Sequence, residues 1–453
     1  MENMAIDLAR ETALKILYEV LENGAYSNIS LNKHLESGSL KGIDRAFITE
    51  LVYGVVKWKL SIDFVIEQFS SMKMGKISPW ILNILRLGAY QLLYTQKVPE
   101  SAACNESVNL SKKYGHAASI RFVNGVLRNI ARNKNNIKYP DENKDTAVFL
   151  SIKYSHPVWM VKNWLECFGR DFTESLLKSN NEVPDLTVRV NTLKISKDEL
   201  EKNLNELGIE TAAGRYTDDA MILKNPSALS SLDIFKKGHF QVQDESSMLA
   251  ARILDPKPSE LVIDVCSAPG GKATHIAQLM QNRGTVIARD VHPHKIKLIE
   301  EAAKRLGIDI IKTGIFDASE LDKAYVEKAD RVLVDAPCTG LGIIRRKPDI
   351  KWARNIGDKK EIVGLQMKIL EVSSNYVKPG GALVYSTCTI ENEENKGLID
   401  NFLKKNSDFE LEDISSFLPD GLKGNYSSTG VIQLFPNVNN IDGFFISRMR
   451  RRV

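Results

Sequence analysis

Between residues 260 and 388 short apolar runs alternate strictly with amphipathic stretches. "ELVIDVCSA" leads to a helix from about Lys272, and "GTVIARD" leads to "HPHKIKLIEEAAKRLG". "IDIIKTGIFD" and "ADRVLVDAPC" follow, then a helical stretch around "KKEIVGLQMKILEVSSNYV", then "GALVYSTC". Strands that are apolar on both faces and separated by helices must pair in parallel, because each crossover lays a helix over the sheet. This pattern predicts a Rossmann-like α/β domain over residues 236–453 with a mostly parallel seven-stranded sheet. "GFFISRMRR" near the end is expected to add a strand at one edge.

The preceding chain reads differently. From 1 to 145 the periodicity is helical throughout. "LARETALKILYEVLENG" spaces Leu8, Ala13, Ile16, Leu17, Val20 and Leu21 along one face, with Gly24 as a stop signal. Pro79 and Pro99 stand near helix starts, where a missing N–H costs nothing. The lysine- and asparagine-rich "NKNNIKYPDENKD" has no periodicity and reads as a linker. From 146 to 235, "HPVWMVKNWLECFG" is helical, "LTVRVNTLKIS" alternates like a strand, "KDELEKNLNELGIE" is a helix and "AMILKN" a second strand, giving a small linking α+β domain. Arg189, Asn191 and Lys194 cluster at a strand end there, a pattern suited either to gripping a phosphate backbone or to plain polar surface.

Composition narrows the class. With 453 residues, 43% of them hydrophobic, the chain can build several cores without cross-links. Its five cysteines are odd in number and widely spread, with no pair at metal-ligand spacing, so neither a disulfide framework nor a metal site is expected. Cys104 and Cys167 read as small core hydrophobes. No segment approaches the roughly twenty apolar residues of a membrane span, and the N-terminus lacks a leader pattern, so a cytoplasmic monomer away from membranes is expected. The net charge of +4 permits a polyanionic partner. A basic run, Arg345, Arg346, Lys347, Lys351 and Arg354, follows the fourth strand, and the expectation is that neutralising its first three residues weakens the binding of such a polyanion.

Ligands of open parallel sheets bind beyond the carboxyl ends of the strands. After the first strand come Cys266, Ser267, Ala268, Pro269, Gly270, Gly271 and Lys272, where two glycines admit close backbone approach and a helix begins. Asp290 ends the second strand, about where a carboxylate can accept the ribose hydroxyls of a nucleoside, and Asp317 follows the third, placed for an adenine amino group. Asp335, Pro337 and Cys338 follow the fourth, Thr387 and Cys388 the fifth. The glycine spacing is neither that of a dinucleotide fold nor that of an NTPase phosphate loop. A nucleoside without a pyrophosphate to cradle points to S-adenosylmethionine.

Two cysteines at adjacent strand ends have a chemical meaning. Carbon 5 of cytosine becomes nucleophilic when a thiolate adds at carbon 6, and the adduct must later lose a proton from carbon 5 and release the thiolate. One thiol adds and a second group assists the proton. Asp335 would hydrogen-bond the base edge, and Lys272 would supply the positive neighbour that thiol reactivity needs. Spacing alone does not say which cysteine is which.

"DVCSAPGGKATH", "DAPCTGLGIIRRKPDIKW" and "LVYSTCTIENEEN" resemble the signature motifs of the Nop/Sun family of RNA cytosine-5 methyltransferases. "DRAFITELVYGVV", "LRLGAYQLLY", "VPESAACNESVNLSKKYG" and "FVNGVLRNI" resemble the NusB-type RNA-binding helical domain. "QVQDESSMLA" and "QLFPNVNNIDGFFISRMRR" also match the family, so the likeness spans essentially the whole chain. The resemblance implies Cys388 as nucleophile, Cys338 as the aid to proton removal and product release, and residues 266–272, Asp290, Asp317 and Asp335 as the S-adenosylmethionine site. It implies 16S ribosomal RNA as substrate, presented as a single-stranded or loop cytosine. A transfer RNA methyltransferase and a non-catalytic ribosome-assembly factor are the alternatives; the NusB-like region argues against the first and the two thiols against the second.

Overall fold

The computed structural model describes residues 6–35, 40–224, 229–355, 357–424 and 427–453. Residues 1–5 of the N-terminal stretch read above as helical lie outside the described residues. The chain divides into two compact units, residues 1–182 with 344–354, and residues 183–343 with 355–453.

The first unit is helical. Its main helices are α1 (Leu8–Leu21), α2 (Ser27–Leu35), α3 (Gly42–Phe69), α4 (Pro79–Tyr94), α5 (Glu100–Tyr114), α6 (Ala117–Asn133), α7 (Thr146–Tyr154), α8 (Val158–Phe168) and α9 (Arg170–Ser179). Asp7 starts α1 by accepting the Arg10 N–H at 2.8 Å, and Ala13, Leu14, Ile16 and Leu17 are then fully buried along one face. Pro79 occupies the first turn of α4 as its fixed φ favours. Further along α4, a Cβ on Gly88 would come within 2.6 Å of the Leu127 side chain of α6, so the two helices meet where one residue has no side chain. Cys104 is buried in this core. Cys167 is exposed, contrary to its reading as a core residue, because it lies in the last turn of α8 beyond Trp164, the final buried residue of that helix.

Residues 344–354 belong to this same helical unit, and the basic run is only partly surface: Lys347 is exposed, whereas other members pack inward. Lys351 is fully buried, and its ammonium donates to the carbonyls of Lys57 and Ser155, each at 2.7 Å. The Trp352 indole donates to the Val56 carbonyl at 2.7 Å, and Asp349 accepts the Ser27 hydroxyl at 2.5 Å. Arg345 is also buried. The Ser155 carbonyl follows the last turn of α7, where carbonyls lack intrahelical donors and a cation is favoured. Burial holds the Lys351 ammonium well below the usual lysine range. Truncating Lys351 to alanine leaves two buried acceptors and a void. We expect a loss of about 2–4 kcal/mol of stability, read from the urea midpoint of the full chain; a shift below about 0.5 kcal/mol would show that the ammonium holds nothing.

The second unit carries two sheets. The smaller is formed by β1 (Leu186–Val190), β2 (Glu210–Ala213), β3 (Ala220–Lys224) and β4 (Phe240–Val242), antiparallel in the order β2-β3-β1-β4, with α10 (Lys197–Glu206) and α11 (Asp233–Lys236) in its connections. After α12 (Glu245–Leu254), β5 (Leu261–Asp264), β6 (Thr285–Asp290), β7 (Ile311–Ile315), β8 (Ala329–Asp335) and β9 (Val377–Thr387) pair in parallel in the order β7-β6-β5-β8-β9. Helix α13 (Gly271–Leu279) connects β5 to β6, and α14 (Pro293–Leu306) connects β6 to β7. β10 (Phe409–Leu411), β11 (Ser427–Ser428), β12 (Val431–Leu434) and β13 (Phe444–Arg451) complete the nine-stranded sheet. The six strands placed in the sequence are all there, β12 supplies a seventh, and short β10 and β11 extend the sheet. "GFFISRMRR" is not an edge strand. β13 lies between β9 and β12, antiparallel to both, because "VIQL" forms the strand that covers its outer side.

Arg189 and Asn191 do not present a phosphate grip. Both are buried: the Asn191 amide donates to the carbonyls of Gly238 and Leu306 at 2.8 and 2.9 Å. The Lys194 ammonium donates to the carbonyls of Lys237 and Arg305 at 2.8 and 2.9 Å. Arg189 lies within β1 and points at the helix after β5, Asn191 is packed in the loop after the strand, and Lys194, though exposed, is tied to backbone carbonyls.

Candidate active site

Strand order decides what meets what. β5 lies between β6 and β8, with β9 next to β8, so the turns after these strands share one end of the sheet. A cavity of about 490 Å³ opens there and is lined by residues from each of those turns.

The turn after β5 packs tightly. The Ala268–Pro269 peptide is cis, and Gly270 stands at φ +97°, where a Cβ would come within 3.1 Å of the Ile299 Cα of α14. Only glycine fits this left-handed position against a helix backbone. Ser267 donates its N–H to the Arg289 carbonyl at 2.7 Å, and Gly270 to the Ser267 carbonyl at 2.8 Å. Helix α13 then starts with no side-chain cap, leaving its first N–H groups for a ligand.

Asp290, Asp317 and Asp335 line the same cavity, as do Cys266 and Ala268. Asp290 accepts the His292 N–H at 3.0 Å. Asp317 is exposed and accepts the Ser319 N–H at 2.8 Å, which holds its carboxyl below the usual carboxylate range. Asp335 accepts the Lys272 ammonium at 2.7 Å on one oxygen and the Ser386 hydroxyl at 2.8 Å on the other. Lys272 therefore neutralises Asp335 directly, with its ammonium 5.0 Å over the Phe444 ring; its expected place as a neighbour of a thiol is taken by this ion pair.

Cys338 and Cys388 meet in this cavity with their sulfurs 3.1 Å apart. The hydrogen bond to Cys388, followed by burial, pushes the Cys338 thiol well above the ordinary cysteine range. Burial and then the nearby carboxyl of Asp264 raise Cys266 as well, which suits a pocket wall and not a nucleophile.

Residues unremarked in the sequence hold the two cysteine turns together. Glu394, fully buried, accepts the Thr339 N–H at 2.9 Å, the Thr339 hydroxyl at 2.5 Å and the Gln366 amide at 2.9 Å. The hydroxyls of Thr339 and Thr389 lie 2.9 Å apart, linking the residues that follow each cysteine. Burial raises the Glu394 carboxyl. The signal was the acidic run "IENEEN" directly after the second cysteine, since a carboxylate cluster beside an apolar strand needs partners.

Asp264 also escaped notice. At the end of β5 it is fully buried, and burial, followed by repulsion from Asp335, lifts its carboxyl from 3.8 to about 7. A carboxyl raised by folding stabilises the fold while protonated: the contribution is complete below 3.8 and is lost as pH rises through about 7. The difference corresponds to on the order of 4 kcal/mol. Asp264→Asn is therefore expected to melt above the wild type at pH 8 and to lose that advantage near pH 4; parallel melting curves across this range would refute a buried proton at this site.

Among the described residues no group of three or more His, Cys, Asp or Glu side chains could hold a metal ion. No described helix is long and apolar enough to cross a membrane.

A five-strand parallel core continued by an antiparallel hairpin, with a glycine turn and carboxylates at successive strand ends, defines the class of nucleoside-cofactor methyltransferases. The family models agree: "16S rRNA methyltransferase RsmB/F" matches residues 251–450, "NusB family" 7–132, and the RsmF/B-like ferredoxin-like domain 156–230. The chain belongs to the RsmB/F family of 16S rRNA methyltransferases. It is 40% identical to the probable ribosomal RNA small subunit methyltransferase B of Bacillus subtilis, over 98% of each chain. The crystal structure of PH0851 is 28% identical with a TM-score of 0.81, covering 99% of this chain and 100% of its own. NSun6 from Pyrococcus horikoshii with SFG is 25% identical with a TM-score of 0.58, over 64% of this chain and 97% of that one.

Proposed function

We propose that the protein methylates carbon 5 of a cytosine in 16S ribosomal RNA, using S-adenosylmethionine and a transient covalent bond between Cys388 and carbon 6 of the base. The observation that carries this reading is the 3.1 Å approach of the two sulfurs in a cavity shared with Asp335. The names of the relatives supply the ribosomal RNA. S-adenosylmethionine supplies, when bound, a methyl group on a cationic sulfur. The residues present suit it: the tight turn of 266–272 admits a backbone-bound ligand, and Asp290 and Asp317 offer acceptors for ribose hydroxyls and an adenine amino group.

Within the pair, the place of Cys388 in the Thr-Cys motif, as the family resemblance implies, makes it the thiolate that attacks. Cys388 adds to carbon 6 and makes carbon 5 electron-rich. Asp335, fixed by Lys272 and Ser386, would accept from the amino group of the base, and the Lys272 ammonium paired with it offsets the negative charge that builds on the ring during addition. After methylation, the proton on carbon 5 must leave as the bond to Cys388 breaks; the Cys338 thiol beside it relays that proton, taking it up while passing its own to the departing Cys388 sulfur.

Trapping tests the reading. RNA carrying 5-fluorocytosine lacks the departing proton, so incubation with cofactor should leave a stable protein–RNA adduct, seen as a mass increase on the peptide containing Cys388. Robust turnover of 16S RNA without any adduct would refute covalent catalysis, and methylation of transfer RNA in preference to 16S RNA would move the substrate assignment.

A further inference from the structure

The small antiparallel sheet reaches into the cofactor turn through one side chain. Arg189 projects from β1, is fully buried, and directs its guanidinium at the first turns of α13. It donates to the Gly271 carbonyl at 2.8 Å, to the Thr274 hydroxyl at 3.1 Å and to the Gln278 side-chain carbonyl at 3.1 Å. It also donates to the Gln243 side chain. Thr274 in turn donates to the Gly270 carbonyl at 2.8 Å, and the Gln278 amide returns to the Val190 carbonyl of β1 at 3.1 Å. The guanidinium thus grips the helix start that follows the glycine turn.

Its charge is the unusual part. Among the described residues no carboxylate lies within ion-pairing distance of Arg189, and Asp219 acts on it only from farther off; burial lowers its pKa to about 9, which leaves it cationic at neutral pH. A buried cation behind a helix N-terminus has the same sign as the helix dipole, so the arrangement is unfavourable by itself. An anion on the open side of that N-terminus would offset both. The α13 start has no side-chain cap to play this part.

We propose that Arg189 is a positioning residue of the cofactor site, holding the start of α13 and directing positive potential at the carboxylate of the cofactor's amino-acid end. The inference rests on the cofactor reading above and adds a residue from the small antiparallel sheet to it. Arg189 does not touch the ligand. It acts through the Gly271 peptide, whose carbonyl it polarises and whose neighbouring N–H groups become stronger donors.

The test compares two ligands that differ in that carboxylate: S-adenosylhomocysteine, which has it, and 5′-methylthioadenosine, which does not. Kd values are measured by titration calorimetry on the full chain, with thermal midpoints alongside. Arg189→Met should weaken S-adenosylhomocysteine by about tenfold or more while changing methylthioadenosine by less than about threefold. Arg189→Lys, which keeps a cation but not the planar fork, should fall between. Equal weakening of both ligands would reduce Arg189 to a structural residue and overturn the proposal, as would no weakening of either. Should Arg189→Met fail to fold, Thr274→Val removes one acceptor and keeps the charge; it must still weaken the carboxylate ligand selectively. A wild type that binds neither ligand would overturn the cofactor reading itself, an outcome distinct from unselective variants of a binding wild type.

Discussion

Cys388→Ala is expected to lower methyl transfer to 16S RNA by at least about ten-thousandfold, because without the thiolate the pyrimidine carbon is too weak a nucleophile. The loss should be in turnover. S-adenosylhomocysteine affinity should stay within about threefold, since the proposed cofactor residues sit on the turns after β5, β6, β7 and β8 while Cys388 follows β9. No adduct with 5-fluorocytosine RNA should form. Serine at this position should be nearly as inactive as alanine, because its hydroxyl does not ionise near neutral pH. If the alanine variant retains activity and an adduct instead maps to the peptide of Cys338, the roles of the two sulfurs are reversed. The structure makes this a demanding test, for the atoms are 3.1 Å apart and either could approach the same base.

Cys338→Ala separates bond formation from bond release. Cys388 should still add and carbon 5 should still be methylated, but the proton has lost its nearest relay, so the adduct should accumulate with ordinary RNA and appear as a slow-migrating band on denaturing gels. Steady-state turnover should fall by about a hundredfold to ten-thousandfold, the usual worth of a placed acid or base. A single-turnover experiment should show a nearly normal first methylation. Absence of the band, with turnover lost, would mean that Cys338 is needed before the bond forms. The Thr339–Glu394 clamp bears on the same step, since it fixes the residue after Cys338 against the turn after Cys388.

The strand and helix pattern was legible where burial is two-sided. The runs ending at Asp264, Asp290, Asp335 and Thr387 are apolar because helices cover both faces, so their order along the chain already marked the strand ends that line the cavity. Edge and antiparallel strands were harder. β2, with the burial of a half-exposed edge, has no apolar run to betray it, and β13 looked peripheral because its partner β12 is only four residues long. Charged residues were misread for one reason: residue type says nothing of the acceptors nearby. Arg189 and Lys351 each found several carbonyl or hydroxyl oxygens from distant parts of the chain, so they are buried where composition predicts solvent. Ser386 and Glu394 were overlooked because each acts on a neighbour, Asp335 in one case and the cysteine turns in the other.

The eleven positions 344–354 constrain how such a chain can be taken apart. Because residues 344–354 complete a helical unit otherwise made of residues 1–182, that unit is not encoded by one uninterrupted stretch. A gene fusion that grafts a foreign leading module onto residue 183 would leave the Trp352 indole and the Lys351 ammonium without the carbonyls they now use. Recombination at that junction should therefore yield poorly soluble chimeras unless the short internal stretch is exchanged along with the module it completes.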